Sequence, residues 1–111
     1  MATLTKNKAC IDACNQCLLD CERCLGEMMK MDKMKGSECP TCCRECVQIC
    51  ALCVSAMSRE SRFSAQYCKL CAEVCEWCAT ECEKMGHDHC KACAKSCRAC
   101  AEECHKMSTA A

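Results

Sequence analysis

Twenty of the 21 cysteines in this chain fall into four sets of five, and within each set the spacing alternates between three and four residues. The sets are Cys10, Cys14, Cys17, Cys21 and Cys24; Cys39, Cys43, Cys46, Cys50 and Cys53; Cys68, Cys71, Cys75, Cys78 and Cys82; and Cys90, Cys93, Cys97, Cys100 and Cys104. Such spacing marks one face of an amphipathic helix, here written in thiols instead of leucines. At about 100° per residue each set stays within roughly 80° of arc while climbing about 21 Å along the axis. Four such helices predict an all-α fold in which the cysteines line the core.

The connections between the sets are short, which favours antiparallel neighbours and an up-down-up-down four-helix bundle. At 111 residues the chain is read as a single domain over 1–111. The first helix is expected from Thr5 or Lys6 to a point between Gly26 and Met34, the second from a Ser37 N-cap to about Met57 with Pro40 in its first turn. The third is expected to start at a cap on Ser61 or Ser64 and to end by Gly86, and the fourth to run from an Asp88 cap to about Met107. Aligning four antiparallel seams predicts five layers: Cys24, Cys39, Cys82 and Cys90; Cys21, Cys43, Cys78 and Cys93; Cys17, Cys46, Cys75 and Cys97; Cys14, Cys50, Cys71 and Cys100; and Cys10, Cys53, Cys68 and Cys104. Cys42 sits one position off the seam, beside Cys43. The remaining apolar residues are sparse and flank the seam: Leu4, Ile11, Leu18 and Leu25 recur every seven residues, joined by Val47, Val54, Leu70, Val74 and Trp77. They either widen the core stripe or form a surface for a second subunit.

Composition removes several classes of partner. The 15 basic and 15 acidic side chains balance, so nothing favours a nucleic-acid surface. No run approaches the roughly 20 apolar residues of a membrane span. The start, with lysines at 6 and 8 and no apolar stretch, is not that of a secretory signal, and a cytoplasmic location is expected, where thiols stay reduced. Helical neighbours three or four apart hold their Cβ atoms about 5–6 Å apart, too far for the roughly 3.5–4.5 Å of a disulfide, so no set can oxidise within itself.

A core of thiols selects soft ions: Cu(I), Zn(II) or iron–sulfur clusters. Clusters need only about four cysteines each, a different design from five ligands in register on every helix. Buried thiolates also need their charge cancelled. Cu(I) does this at about one ion per thiolate and accepts two or three sulfurs, whereas zinc requires tetrahedral surroundings. Eight Cys-x-x-x-Cys pairs, two on each helix, suit the first. Two loops that the topology sends to one end, one with Met28, Met29, Met31 and Met34 and the other with Met85, His87 and His89, offer weaker soft ligands at a mouth through which ions pass inward. Met57, Phe63, His105 and Met107 form a thinner set at the opposite end.

The stretch His87-Asp88-His89-Cys90-Lys91-Ala92-Cys93-Ala94-Lys95-Ser96-Cys97, the run Cys46-Val47-Gln48-Ile49-Cys50-Ala51 and the four thiol seams resemble the four-helix-bundle copper storage proteins of bacteria, in particular their cytosolic branch. The resemblance covers Lys8 to Met107. It implies a bundle preformed without metal, many Cu(I) ions held along the core by cysteines, histidine and methionine ligands near one mouth, and a tetramer of bundles. Carried over, the metal ligands are the twenty seam cysteines, with His87, His89 and methionines of the first loop such as Met34; Cys42 is added from its place on the flank.

The expected function is therefore non-enzymatic storage or buffering of many Cu(I) ions, with copper chaperones or efflux proteins as partners. The alternative is a zinc or mixed-metal buffer of the thionein kind, which would be disordered without metal. A catalyst needs a poised acid, base or nucleophile in a pocket, and Asp12, Glu45, Glu73 and Glu76 fall off the seam.

Overall fold

The computed structural model of the chain describes residues 2–30 and 38–109, with side chains for 7–30 and 38–108. Four helices follow one another: α1 (Ala2–Met28), α2 (Cys39–Ser58), α3 (Ser64–Glu83) and α4 (Asp88–Thr109). The chain axis is elongated, with principal extents of 47 × 19 × 19 Å. All-α architecture with a cysteine-rich core is what the spacing predicts.

Pairs of contacting residues give the sense of each helix. Cys24 near the end of α1 meets Cys90 at the start of α4, while Cys10 meets Cys104, so these two run in opposite directions. Cys39–Cys82 and Cys50–Cys71 do the same for α2 and α3. The Asn7 side-chain amide of α1 donates to the Met57 carbonyl of α2 at 3.2 Å, and Arg98 of α4 forks onto Glu83 of α3 at 2.8 and 3.2 Å. Across the diagonal, Cys43, Cys46 and Cys50 ascend beside Cys93, Cys97 and Cys100. Neighbours are antiparallel and diagonals parallel, as the short connections require.

Cysteine fills the core in place of large aliphatic side chains. All 21 cysteines are at most 1% exposed. Alanines complete the interior: Ala72 and Ala79 on α3 and Ala94 and Ala101 on α4 are buried and seven residues apart, so each recurs on one flank of its helix. Ile11, Leu18, Leu25, Val47, Val54 and Val74 pack part-buried against this core and so widen the stripe. Leu70 and Trp77 instead turn outward and, with Ile49, Leu52 and Val74, line a shallow groove of about 410 Å³ between α2 and α3. The side chain of Leu4 lies outside the described set.

Two buried polar groups brace the bundle. Asp20 on α1, 8% exposed, accepts hydrogen bonds from Gln16 at 3.0 Å and from Ser96 on α4, with Arg23 beside it at 3.7 Å. Asn7 is the other, bonded to α2 as above. Surface ion pairs such as Lys8–Asp12 and Lys30–Glu27 are exposed and each contributes about 0–1 kcal/mol.

The helix ends differ in detail from expectation. Helix α2 starts at Cys39 with Glu38 as its N-cap and Pro40 in the first turn, where no backbone donor is lost; Ser37 lies outside the described residues. Helix α3 is preceded by Phe63, whose N–H donates to the Ser61 hydroxyl oxygen, so Ser61 acts from two residues before the cap and Ser64 is already helical. Asp88 is the first helical residue of α4 rather than its cap, which still places its carboxylate at the positive end of the helix. Gly86, at φ +75°, turns the chain between α3 and α4.

At the end of α2, Ser61 N–H bonds the Ala56 carbonyl at 2.9 Å and Glu60 N–H bonds the Met57 carbonyl at 3.2 Å, the two bonds of a Schellman stop. Glu60 carries the left-handed turn at φ +53°, which costs a side-chain-bearing residue about 1–2 kcal/mol. Glu60→Gly is expected to stabilise the reduced, metal-free protein by about 0.5–1 kcal/mol once the greater freedom of glycine in the unfolded chain is subtracted. A thermal melt of the two proteins followed by circular dichroism checks this; a lower melting temperature for the variant contradicts it.

Candidate metal centre

Each helix brings its five seam cysteines to the bundle axis because steps of three and four residues return to the same face at successive turns. The sulfurs then meet in the layers the antiparallel alignment predicts. In the central layer Cys46 Sγ lies 3.5, 3.4 and 3.8 Å from Cys17, Cys75 and Cys97, and Cys17 lies 3.6 Å from Cys97. On one side Cys93 lies 3.3 Å from Cys21 and 3.7 Å from Cys43, with Cys78 3.9 Å from Cys43. On the other, Cys100 lies 3.6 Å from Cys14 and 3.9 Å from both Cys50 and Cys71. The outer layers contain Cys24–Cys90 and Cys39–Cys82 at one end and Cys10–Cys104 at the other, at 3.7, 3.2 and 3.7 Å.

Layers are also linked along the axis. Cys17–Cys21, Cys71–Cys75, Cys78–Cys82 and Cys100–Cys104 stand 3.8–4.0 Å apart, so the Cys-x-x-x-Cys pairs on one helix bring sulfur as close as contacts between helices. Tetrads that span two layers, such as Cys17, Cys21, Cys46 and Cys97, or Cys24, Cys43, Cys82 and Cys93, keep every sulfur within 4.8 Å of the others. All 21 cysteines are thiols, with no disulfide between them.

Those spacings bear on chemistry. With a metal–sulfur bond of about 2.3 Å, the zinc–thiolate value, a trigonal ion separates its sulfurs by about 4.0 Å and a tetrahedral one by about 3.8 Å. Neighbouring thiols at 3.2–4.0 Å therefore need to part by only fractions of an ångström to admit an ion. Hard cations find no such welcome, since they require oxygen ligands. Among the described residues the buried carboxylate is Asp20, which faces α4 and is occupied by Ser96 and Gln16. Asp12, Glu45, Glu73 and Glu76 are exposed.

Proton affinities in the core follow from thiols bonding thiols. Cys43 is pushed up by its hydrogen bonds to Cys21, Cys24, Cys39 and Cys42 and by burial. Cys93 is pushed down because Cys21, then Cys24, Cys43 and Cys78, donate to it. A thiolate thus sits among thiols that keep their protons, and the protons leave as a property of the cluster.

Cys42 stands apart. Its Sγ donates to the Cys39 carbonyl at 3.2 Å and lies 4.0 Å from the Cys78 carbonyl, between α2 and α3, while remaining fully buried. It touches backbone as well as the neighbouring thiols. Hydrogen bonds from Cys39, Cys43 and Cys82 hold it down at about 5. Cys39 is likewise held at about 5, by Cys24 and then Cys43 and Cys82. Both occupy the first turn of α2, whose positive end favours a thiolate independently.

The end carrying the α3–α4 connection is furnished with imidazole. His89 Nδ1 lies 3.4 Å from Cys24 Sγ and 3.5 Å from Cys90 Sγ, and its ring stacks on that of His87 with centroids 5.4 Å apart. Met28 is buried in the last turn of α1, Met85 is part-buried and Met29 is exposed. Met31 and Met34 lie outside the described residues. At the far end, Met57, one of the thinner set there, is 1% exposed and its Sδ accepts the Cys68 thiol hydrogen bond at 3.9 Å.

The metal-free protein is expected to keep one thiolate on the Cys39–Cys42 pair at neutral pH, because Cys39 donates to Cys42 only while it holds its own proton. Because both are held below the ordinary thiol value of 9.0, their contribution to stability is complete above that value and is lost as the pH falls through about 5. The ultraviolet thiolate absorption of the anaerobic protein should fall in that range and be smaller in Cys42→Ser; absorption that appears only in alkaline solution contradicts the assignment.

Comparison with known proteins places the geometry in context. A family model described as copper storage protein matches residues 3–109. Among solved structures, the Cu(I)-bound copper storage protein BsCsp3 is 45% identical, with 94% of this chain and 99% of that one covered and a TM-score of 0.91. The metal-free copper storage protein 3 of Bacillus subtilis is 46% identical over 92% of this chain and 98% of its own, with a TM-score of 0.85. A protein of Nitrosospira multiformis is 36% identical over 94% and 95%, with a TM-score of 0.84. No curated protein matches the chain.

Proposed function

The chain belongs to the copper storage protein family, and from that premise we propose that it stores Cu(I) in a column of thiolates running the length of the bundle. The observation that carries this reading is the stack of thiol layers with neighbouring sulfurs at 3.2–4.0 Å, enclosed by four helices and shielded from water. The ligands are the twenty seam cysteines, with Cys42 reaching the first two layers from the flank, and His87, His89 and Met34 serving the mouth. Each Cu(I) displaces thiol protons, so the loaded core exchanges one set of positive charges for another and stays close to neutral.

A zinc or mixed-metal buffer finds no support among these relatives, one of which holds Cu(I). We read the function as storage rather than catalysis: Asp12, Glu45, Glu73 and Glu76 are exposed, away from the thiol column. We place the protein in the cytoplasm, where thiols remain reduced; none of its described helices is long and apolar enough to cross a membrane. Stored ions pass to and from copper chaperones or efflux proteins. A homotetramer, which the family resemblance implies, would cover the groove of Ile49, Leu52, Leu70, Val74 and Trp77.

An anaerobic titration of the reduced protein with Cu(I), competed against a chromogenic chelator, tests this. The expected result is strong helicity before any metal is added and retention of about one Cu(I) per thiolate, in keeping with the preference of soft thiolate for Cu(I). Saturation at a few ions, or helix that forms only with metal, overturns the storage column.

A further inference from the structure

The alternation of threes and fours does not stop at the cysteines. One step beyond the last cysteine of every helix stands a methionine: Met28 four after Cys24, Met57 four after Cys53, Met85 three after Cys82 and Met107 three after Cys104. In each case the step is the one the alternation demands. Four of the eight methionines occupy these four positions, so their register is that of the ligand column and not of the outer flank. Antiparallel packing sends Met28 and Met85 to the end with His89, and Met57 and Met107 to the other. Met28 and Met57 are 2% and 1% exposed, and Met85 and Met107 pack part-buried against the core.

Met57 is the best placed of the four. Its Sδ already accepts the Cys68 thiol hydrogen bond at 3.9 Å, close to the separation of about 4.0 Å that a trigonal ion imposes on its sulfurs. The Asn7 amide holds the Met57 carbonyl from α1, so the residue is anchored between two helices where the column ends.

We propose that Met57 is a thioether ligand of a terminal Cu(I) site, shared with Cys68, at the end of the bundle away from His87 and His89. On binding, Cu(I) displaces the Cys68 proton to solvent and accepts a lone pair from Met57; no electron is transferred. A neutral thioether suits a terminus because it extends soft coordination without adding a charge that a further ion must cancel.

The proposal rests on Cu(I) storage in the column, and the two fail differently. Crystals of the Cu(I)-loaded wild-type protein, measured at the copper absorption edge, are expected to show an anomalous peak within bonding distance of both Met57 Sδ and Cys68 Sγ. Met57→Leu, which preserves volume, is expected to keep its helical signal and to retain about one Cu(I) fewer per chain against the chelator, since leucine offers no soft donor. A terminal ion bound by cysteines alone, or a helical Met57→Leu with undiminished capacity, overturns the assignment to Met57. Wild-type protein that takes up no copper overturns the storage reading instead. If the variant loses its helical signal, the wild-type crystals alone decide.

Discussion

A cysteine side chain is two heavy atoms long, so sulfurs from four helices meet at 3.2–4.0 Å only where the backbones come close together. The rest of the bundle follows from that short reach. Residues beside the seam have to be small where helices touch, and Ala72, Ala79, Ala94 and Ala101 take those places. Larger apolar residues such as Leu18, Leu25 and Val54 stand at the margins. The protonated thiol is itself a small hydrophobe, so the same side chains that suit a soft metal also let the bundle pack without one. This is the physical difference from a metal-dependent cysteine-rich buffer, whose chain has little to bury until the ion arrives.

Close thiols create an electrostatic constraint. Twenty-one buried anions would be prohibitive, and the core avoids them by letting thiols hydrogen-bond to one another, so that Cys93 is pushed down among neighbours such as Cys43 that are pushed up. Exchanging protons for Cu(I) then changes which cation neutralises the sulfur without exposing bare charge. The first turn of α2 departs from this balance, because Cys39 and Cys42 feel both neighbouring thiols and the end of the helix.

Register depends on a few polar contacts at the margins. Sulfur–sulfur contacts are short-range and alike from layer to layer, so by themselves they discriminate weakly between adjacent alignments of two seams. Asp20, held by Ser96 across the α1–α4 boundary, and Asn7, bonded to the Met57 carbonyl across α1–α2, are specific to one alignment. Leaving either buried group unpaired costs about 1–3 kcal/mol. The Arg98–Glu83 fork and the His105–Glu76 contact at 2.5 Å mark the same choice on the α3–α4 surface.

The helix count, the membership of the three inner thiol layers and the soft-metal chemistry were legible in the residues alone, because a step of three or four has one geometric meaning in a helix and four equal seams admit one economical alignment. The left-handed Glu60, the Ser61 bond ahead of α3 and the start of α4 at Asp88 were not, since helix ends are settled by local backbone bonds that several neighbouring serines and aspartates could supply. Nor was the place of Cys42, which only the approach of α2 to α3 turns toward the Cys39 and Cys78 carbonyls. Periodicity along one chain determined which residues face the axis. Distances between sulfurs, the burial of Met57 and Asp20, and the outward turn of Leu70 and Trp77 were decided by the tertiary structure, because they depend on how far apart four separate helices come to rest.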